Sequence, residues 1–237
     1  MSRSEAAEAP PGPFVVSCEH AGTHLPGAYL ALLAGAPLRT HEGHDLGALA
    51  FARTLAAALD APLLAQRTTR LLVDANRSET NRAVFSRYTR SLPRAARERL
   101  LARRHRPHRE AVRTACEAAR EAHGVVVHVA VHSFTPVLEG RMREVDIGVL
   151  YDPARDAERR IAGAWVEALK RRTDLRVRRN QPYRGATDGL PTALRRALGE
   201  GYAGFELELS QGLWLPAKRW PRGLVETVSG TLRRATG

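Results

Sequence analysis

The stretch Val125–Val131, VVVHVAV, decides the fold predicted for this chain. A near-continuous valine run is typical of a central strand in a parallel sheet, because both faces of such a strand are buried. We expect this strand to end at His132 and Ser133, which directly follow it. Ligands of open α/β sheets bind at the carboxyl ends of the strands, so His132 becomes a candidate site residue.

Strand-like and helix-like segments alternate on both sides of this run. The β-prone segments are 14–17, 70–74, 146–151, 175–178 and 204–209. Helical spacing is seen at 45–59, at 92–123 with an interruption at Pro107, and at 154–171, 192–198 and 224–234. This alternation predicts a three-layer α/β fold, with a central, mostly parallel (mixed) sheet flanked by helices. We expect one domain over residues 14–237 and a flexible, proline-rich lead-in over residues 1–13.

Composition argues against several classes of protein. No stretch approaches the roughly 20 apolar residues of a membrane span, so we expect no membrane segment. The net charge of +12 would suit nucleic acid, but the arginines are spread from Arg3 to Arg234 and aromatic residues are only 5% of the chain. We therefore expect no nucleic-acid partner. Cys18 and Cys116 form no disulfide framework, which suits a reducing cytoplasm.

Polar residues suited to a metal hydrolase follow or occupy the predicted strands. Glu19 and His20 follow the first strand, and Glu206 and Glu208 share one face of the last strand by two-residue alternation. A catalytic zinc takes three His or carboxylate ligands and keeps one position for water, and glutamate is a common general base. Taken singly, each residue also has a structural interpretation; Asp45, for example, suits the start of a helix.

Asn76 and Arg77 follow the predicted strand at 70–74. An amide beside a planar guanidinium fork is suited to binding a substrate carboxylate. The alternative is a surface ion pair of Arg77 with Asp74 or Glu79. No glycine-rich phosphate loop and no Gly-x-Ser-x-Gly nucleophile motif is present in the sequence.

The order of short motifs along the chain resembles the N-formylglutamate amidohydrolase family. These motifs are SCEHAGT at 17–23, GHDLGA at 43–48, RLLVDANR at 70–77, RPHR at 106–109, VHSF at 131–134, DIGVL at 146–150 and ELSQ at 208–211. The resemblance implies a fold like that of zinc carboxypeptidases and aspartoacylases. It also implies deformylation, or more broadly N-deacylation, of a small carboxylate-bearing N-acyl amino acid such as N-formylglutamate, as part of amino-acid catabolism.

The same resemblance implies a zinc site. By position, His20 and His132 match its two histidines. Zinc carboxypeptidases have a glutamate three residues after the first histidine, where this chain has Thr23. The family instead has a carboxylate at the start of the next helix, so Asp45 is the implied third ligand, with Glu19 as the alternative.

Catalytic and substrate-binding roles follow from the resemblance as well. Glu208 matches the general base, with Glu206 as the alternative, and Arg70 is a candidate to polarise the acyl oxygen. The pair Asn76 and Arg77 resembles the pair that holds the substrate carboxylate in carboxypeptidases. His108 and Arg109, in the motif at 106–109, are further implied substrate-binding residues at the pocket wall. The family often has Tyr-His or Tyr-Arg at these two positions.

Two other functions remain open from the sequence. A carboxypeptidase-like metallopeptidase would use the same site but release a C-terminal residue. A catalytically degenerate, metal-free member would act as a binding module.

Overall fold

The structure, a computed structural model, describes residues 12–237 and is built around one six-stranded sheet. The strands are β1 (Phe14–Cys18), β2 (Leu63–Ala65), β3 (Val126–Phe134), β4 (Val137–Leu138), β5 (Arg141–Met142), β6 (Ile147–Leu150), β7 (Val177–Arg179) and β8 (Tyr202–Ser210). In the sheet they lie in the order β2-β1-β3-β8-β6-β7, and β4 pairs with β5 in a separate hairpin. Only the β6–β8 pair of the sheet is antiparallel. The predicted mixed, mostly parallel sheet is therefore confirmed.

Helices cover both faces of the sheet. They are α1 (Ala48–Leu59), α2 (Arg94–Leu100), α3 (Arg106–His123), α4 (Asp156–Lys170), α5 (Leu190–Leu198), α6 (Gln211–Trp214) and α7 (Leu224–Thr236). Apolar side chains of α1, α4 and α7 share one core cluster, and those of α3 and α5 share another. This arrangement confirms the three-layer α/β fold. Within residues 12–237, no helix is long and apolar enough to cross a membrane.

The valine run becomes the centre of the sheet because both of its faces find apolar partners. Val127, Val129 and Val131 enter the larger core cluster, while Val126 enters the cluster on the other face. The strand continues past its predicted end, and Phe134 still pairs with Ser210 of β8. His132 and Ser133 thus lie inside β3 and not after it, since the long β8 supplies pairing partners for them.

The strand predicted at 70–74 is wrong. These residues form turns, and Leu71, Leu72 and Val73 are buried in a separate apolar cluster with Leu100. The apolar run therefore indicates burial, but a loop covered by other segments provides that burial. The short strand β2, which pairs with β1, was not predicted.

Pro107 does not interrupt the long helical region. The backbone passes from α2 through a π-helical turn at Leu101–His105 into α3, with Pro107 in the first turn of α3. Proline is common in the first turn of an α-helix, because its fixed φ is already helical.

Residues 1–11 of the predicted lead-in lie outside the described residues, and Gly12 and Pro13 immediately precede β1. The single domain over residues 14–237 stays a prediction. Cys18 and Cys116 are both free and buried.

Candidate metal centre and active site

A cavity of about 290 Å³ lies at the carboxyl edge of β1, β3 and β8. Its position follows from the parallel strands, whose carboxyl ends meet at this edge. The cavity is lined by His20, Asp45, Arg70, Asn76, Arg77, His132, Ser133, Leu150, Tyr183, Arg184, Thr187, Asp188, Glu206 and Glu208.

Two histidines and one carboxylate converge in this cavity. His20 follows β1, His132 lies in β3, and Asp45 precedes α1, where its N–H donates to the carbonyl oxygen of His20. The Nδ1 atoms of His20 and His132 lie 3.3 Å and 2.8 Å from Oδ2 of Asp45. One ligand atom from each of the three buried residues lies within 4.8 Å of the others.

The remaining ring nitrogens of both histidines face other carboxylates. Nε2 of His20 donates to Oδ1 of Asp74 at 2.7 Å, and Nε2 of His132 lies 3.1 Å from Oε2 of Glu19. Such outer carboxylates orient metal-binding histidines and fix the proton on the far nitrogen. Two Nδ1 lone pairs and a carboxylate then form a donor set that suits a divalent metal ion. Glu19 contacts the far side of His132, so Asp45 is the carboxylate grouped with the two Nδ1 atoms.

Burial and charge act against each other on these groups. Burial alone would raise the pKa of Glu19, but the neighbouring His108 and His132 outweigh it and hold that pKa well below its usual range. Burial alone would lower the pKa of His132, but Asp45 and Glu19 raise it well above its usual value. The pKa of Asp45 is likewise lowered against its burial, mainly by the charge of His20. The cluster therefore stabilises its carboxylates in the charged form.

Arg70 completes this charge arrangement. Its Nη2 donates to Oδ2 of Asp74 at 2.8 Å, and its Nη1 lies 3.6 Å from Oδ1 of Asp45. Burial alone would raise the pKa of Asp74, but the charges of Arg70 and His20 outweigh this effect. They hold the pKa of Asp74 well below its usual range. Arg70 thus lines the cavity while its guanidinium is shared between two buried carboxylates.

Glu208 and Glu206 lie on the same face of β8, as the alternation predicts, and both line the cavity. Glu208 is paired with His132 in the strand register and is buried, and its Oε2 makes no hydrogen bond within the described residues. Burial raises the pKa of Glu208 to about 8, and the charges of Asp45 and Glu206 add to the rise although His132 opposes it. Glu206 instead accepts a hydrogen bond from Nδ2 of Asn76 at 2.9 Å. Of the two carboxyl groups, Glu208 is therefore the one with a buried oxygen that accepts no hydrogen bond from the described residues.

Asn76 and Arg77 both line the cavity. Oδ1 of Asn76 accepts from the N–H of Leu190 at 2.7 Å, and Nη1 of Arg77 donates to the carbonyl oxygen of Asp188 at 2.6 Å. In the part of the chain that the structure describes, Arg77 makes no ion pair with Asp74 or Glu79; Glu79 is paired with Arg106. The surface ion pair considered for Arg77 is thus not formed, and its remaining N–H groups have no described protein acceptor.

The structure does not bring His108 and Arg109 to the cavity wall. Nε2 of His108 lies 3.3 Å from Oε1 of Glu19, and Nη1 of Arg109 donates to the carbonyl oxygens of Ala75 and Arg77. Both residues lie on α3, behind the cavity, where they support Glu19 and the backbone around Arg77.

Sequence reasoning missed two parts of the site. Asp74, which accepts from His20, was considered only as a partner for Arg77, although a carboxylate at the end of an apolar run was a signal for it. The loop carrying Tyr183, Arg184, Thr187 and Asp188 was missed entirely. The loop follows the predicted strand at 175–178, but the sequence did not indicate that this strand, β7, lies beside β6. Because β6 is inserted antiparallel next to β8, the loop after β7 reaches the cavity.

Comparisons with known proteins show which proteins share the fold and the family of this chain. No curated protein is significantly similar to the chain in sequence. The crystal structure of N-formylglutamate amidohydrolase from Ralstonia eutropha JMP134 has the same fold, with a TM-score of 0.69 and 21% identity over 94% of this chain and 91% of that one. The structure of gene product Atu2144 from Agrobacterium tumefaciens matches with a TM-score of 0.78 and 33% identity, over 97% of this chain and 90% of that one. The model of the N-formylglutamate amidohydrolase family matches residues 12–215. By this match, which covers most of its length, the chain belongs to the N-formylglutamate amidohydrolase family.

Proposed function

We propose that this protein is a metal-dependent hydrolase that cleaves the amide of an N-acyl amino acid, such as N-formylglutamate, with water. One observation carries the proposal. Two histidine Nδ1 atoms converge with the Asp45 carboxylate in a cavity that also contains a buried, unpartnered carboxyl oxygen of Glu208. This combination supplies three metal ligands and a candidate base in one place.

His20, Asp45 and His132 are the residues that would hold the metal ion. A divalent ion held by these residues would lower the pKa of a bound water and polarise a carbonyl group. The resemblance to the family points to zinc, but His and carboxylate ligands accept several divalent ions. Asp74 and Glu19 keep the two imidazole rings oriented through their Nε2 atoms.

Glu208 acts as the general base and then as the general acid. Its carboxylate takes one proton from the water as the water oxygen bonds to the acyl carbon. When the carbon–nitrogen bond breaks, Glu208 passes that proton to the departing amine nitrogen, which leaves the acid and the free amino acid. Arg70, at the cavity wall, stabilises negative charge developing on the acyl oxygen.

Arg77 and Asn76 bind the α-carboxylate of the substrate and so fix the scissile amide relative to the ligands. Arg77 keeps free N–H groups that can donate two hydrogen bonds to the carboxylate. The neighbouring Asn76 has a second amide N–H that can donate to the same group. Replacing Arg77 by Gln should mainly raise KM for carboxylate substrates.

The test is formate release from N-formyl-L-glutamate by purified protein, first as isolated, then after a chelator, and then after zinc or another divalent ion is restored. We expect release that the chelator abolishes and the metal restores. Release unaffected by a chelator that has removed all bound metal would overturn the metal dependence.

The same preparation separates the alternatives. Release of a C-terminal residue from a peptide, without formate release from N-formyl amino acids, would indicate a carboxypeptidase-like enzyme. No hydrolysis with any metal, together with retained binding of an N-acyl amino acid, would indicate a binding module.

A further inference from the structure

The loop from Asn180 to Gly189 forms one side of the cavity. What this loop implies about the substrate rests on the proposed function, since the site is the same. Three arginines line the cavity: Arg70, Arg77 and Arg184. They differ in how far their guanidinium groups are already occupied by partners within the protein.

Arg70 contacts Asp45 and Asp74 and is assigned to the acyl oxygen in the proposed function, so it is not available for a further carboxylate of the substrate. Arg77 donates one N–H to the backbone of Asp188 and keeps the others for the α-carboxylate. Arg184 is exposed, and no carboxylate of the described residues forms an ion pair with it. The cavity therefore contains one more arginine than binding of the α-carboxylate requires.

The backbone around Arg184 is firmly held. Oδ1 of Asn180 accepts from the N–H groups of Tyr151 and Gly185, both at 3.0 Å. The buried Arg195, from α5, donates through Nη1 to the carbonyl oxygen of Gly185 at 2.7 Å. A side chain at Gly185 would overlap the backbone of Tyr151, so only glycine allows this close approach.

The far end of the loop is also anchored. Asp188 accepts from the N–H of Ser78 at 3.0 Å and from Nδ2 of Asn81 at 2.6 Å. These hydrogen bonds stabilise the charged carboxylate of Asp188 without any contribution from Arg184. Arg184 is thus presented from a loop fixed at both ends, and a fixed side-chain origin reduces the entropy lost when a ligand binds.

We infer that Arg184 is the specificity-determining residue that binds the side-chain carboxylate of the substrate. In the proposed function, Arg77 binds the α-carboxylate of the substrate and the scissile amide lies at the metal site. The side chain of the substrate then still needs a binding partner. The exposed Arg184 offers an unpaired guanidinium fork at the same cavity, and that fork matches a second carboxylate. Arg184 therefore selects N-acyl derivatives of acidic amino acids over neutral ones.

The test compares kcat/KM for N-formyl-L-glutamate and N-formyl-L-glutamine, which differ in side-chain charge but hardly in size. We expect the wild type to prefer the glutamate derivative. R184Q should lower kcat/KM for that substrate about 10- to 100-fold, the range of a lost charged hydrogen bond, and leave the glutamine derivative within about twofold. R184E should reverse the order of the two substrates.

Arg160 supplies a matched control, because it is an exposed arginine of α4 that does not line this cavity. R160Q changes the net charge by the same amount, so it should leave the substrate ratio unchanged. An equal loss in R184Q and R160Q, or an equal loss for both substrates in R184Q, would overturn the assignment of Arg184.

Failure of the proposed function has a different signature. If the wild type hydrolyses neither substrate with any metal, calorimetric binding of L-glutamate and L-glutamine to the wild type and R184Q still tests Arg184. Tighter binding of L-glutamate that is lost in R184Q would support the inference without turnover. Equal affinities for the two amino acids in the wild type would overturn it.

Discussion

Glu208 differs from its neighbour Glu206 in what its carboxyl group contacts. Glu206 accepts from Asn76, while Oε2 of Glu208 has no hydrogen-bond donor among the described residues. We expect E208Q, which keeps size and shape, to lower kcat about 10²- to 10⁴-fold, the usual contribution of general base catalysis. Steady-state formate release and metal analysis of the same sample check this, and the metal content should stay at the wild-type level.

Glu206 supplies the matched control for that prediction. E206Q keeps a side chain that reaches Asn76, so we expect it to alter substrate binding more than kcat. A larger fall of kcat in E206Q than in E208Q would assign the base to Glu206 instead.

Glu19 contacts the far nitrogen of His132, so under the proposed function it would orient that histidine and not bind the metal itself. We expect E19Q to weaken metal affinity about 10- to 100-fold, as is typical for outer carboxylates of metal-binding histidines. Competition with a chromophoric chelator measures this change. Unchanged affinity in E19Q would contradict the positioning role, and thermal unfolding in excess chelator separates it from a loss of stability.

For single residues, the sequence could predict which polar side chains lie near strand ends, but not which groups those side chains contact. His20 and His132 were predicted because polar residues adjoin apolar strands, and the third ligand needed the family resemblance. The role of Asp74 depends on a loop conformation that brings residues 20 and 74 together. No local pattern encodes that long-range contact, so sequence reasoning did not find it.

Among the elements, β6 is critical because it lies directly beside the strand that carries Glu208. Gly148 of β6 is paired with Glu208 in the register, and a Cβ at Gly148 would overlap the carbonyl oxygen of Gln181 and lie 3.2 Å from Cβ of Glu208. We expect G148A to destabilise the protein by about 1–3 kcal/mol, the usual cost of overpacking, and to lower kcat as well. Urea unfolding and formate release measure both effects.

Gly163 in α4 is the matched control for this substitution. A Cβ there meets nothing within 4 Å, so G163A should stabilise the protein by about 1 kcal/mol because alanine favours the helix. If G148A were as stable and active as G163A, the close approach of the backbone at β6 would not constrain the site.

The element pattern also shows where sequence reasoning fails. β3 and α4 were predicted well because each has an unambiguous pattern. β3 is a near-continuous valine run that is buried on both faces, and α4 has an apolar stripe that is buried on one face. Residues 70–74 have the composition of a strand, yet they pack as turns against Leu100 and Leu101. Composition reports burial, whereas the type of element depends on which segments provide that burial.

For the molecule as a whole, the parallel sheet is what assembles the site. The carboxyl ends of β1, β3 and β8 bring His20, His132 and Glu208 to one edge, although they are far apart in the chain. The alternation of strands and helices predicted this convergence. The antiparallel direction of β6 could not be predicted, because it depends on a pairing with β8 that forms only in the complete sheet.

The same three strands are joined inside the sheet by His128, which gives the whole molecule a dependence on acid. Its Nε2 lies 2.7 Å from Oγ of Ser17 in β1, and its Nδ1 lies 2.8 Å from the hydroxyl of Tyr202 in β8. Burial lowers the pKa of His128 to about 4, against about 6.5 in an unfolded chain. Between these values the unfolded state binds a proton that the folded state does not, so stability is lost as pH falls.

We therefore expect the wild type to lose about 3 kcal/mol more of its unfolding free energy than H128Q between pH 7 and pH 4. Glutamine cannot titrate, but it can still donate and accept hydrogen bonds. Urea unfolding at several pH values, with excess chelator so that metal binding contributes equally, measures the difference. Parallel loss of stability in the two proteins would mean that the pKa of His128 is the same in the folded and unfolded states, and the acid sensitivity would then come from the buried carboxylates around His20 and His132.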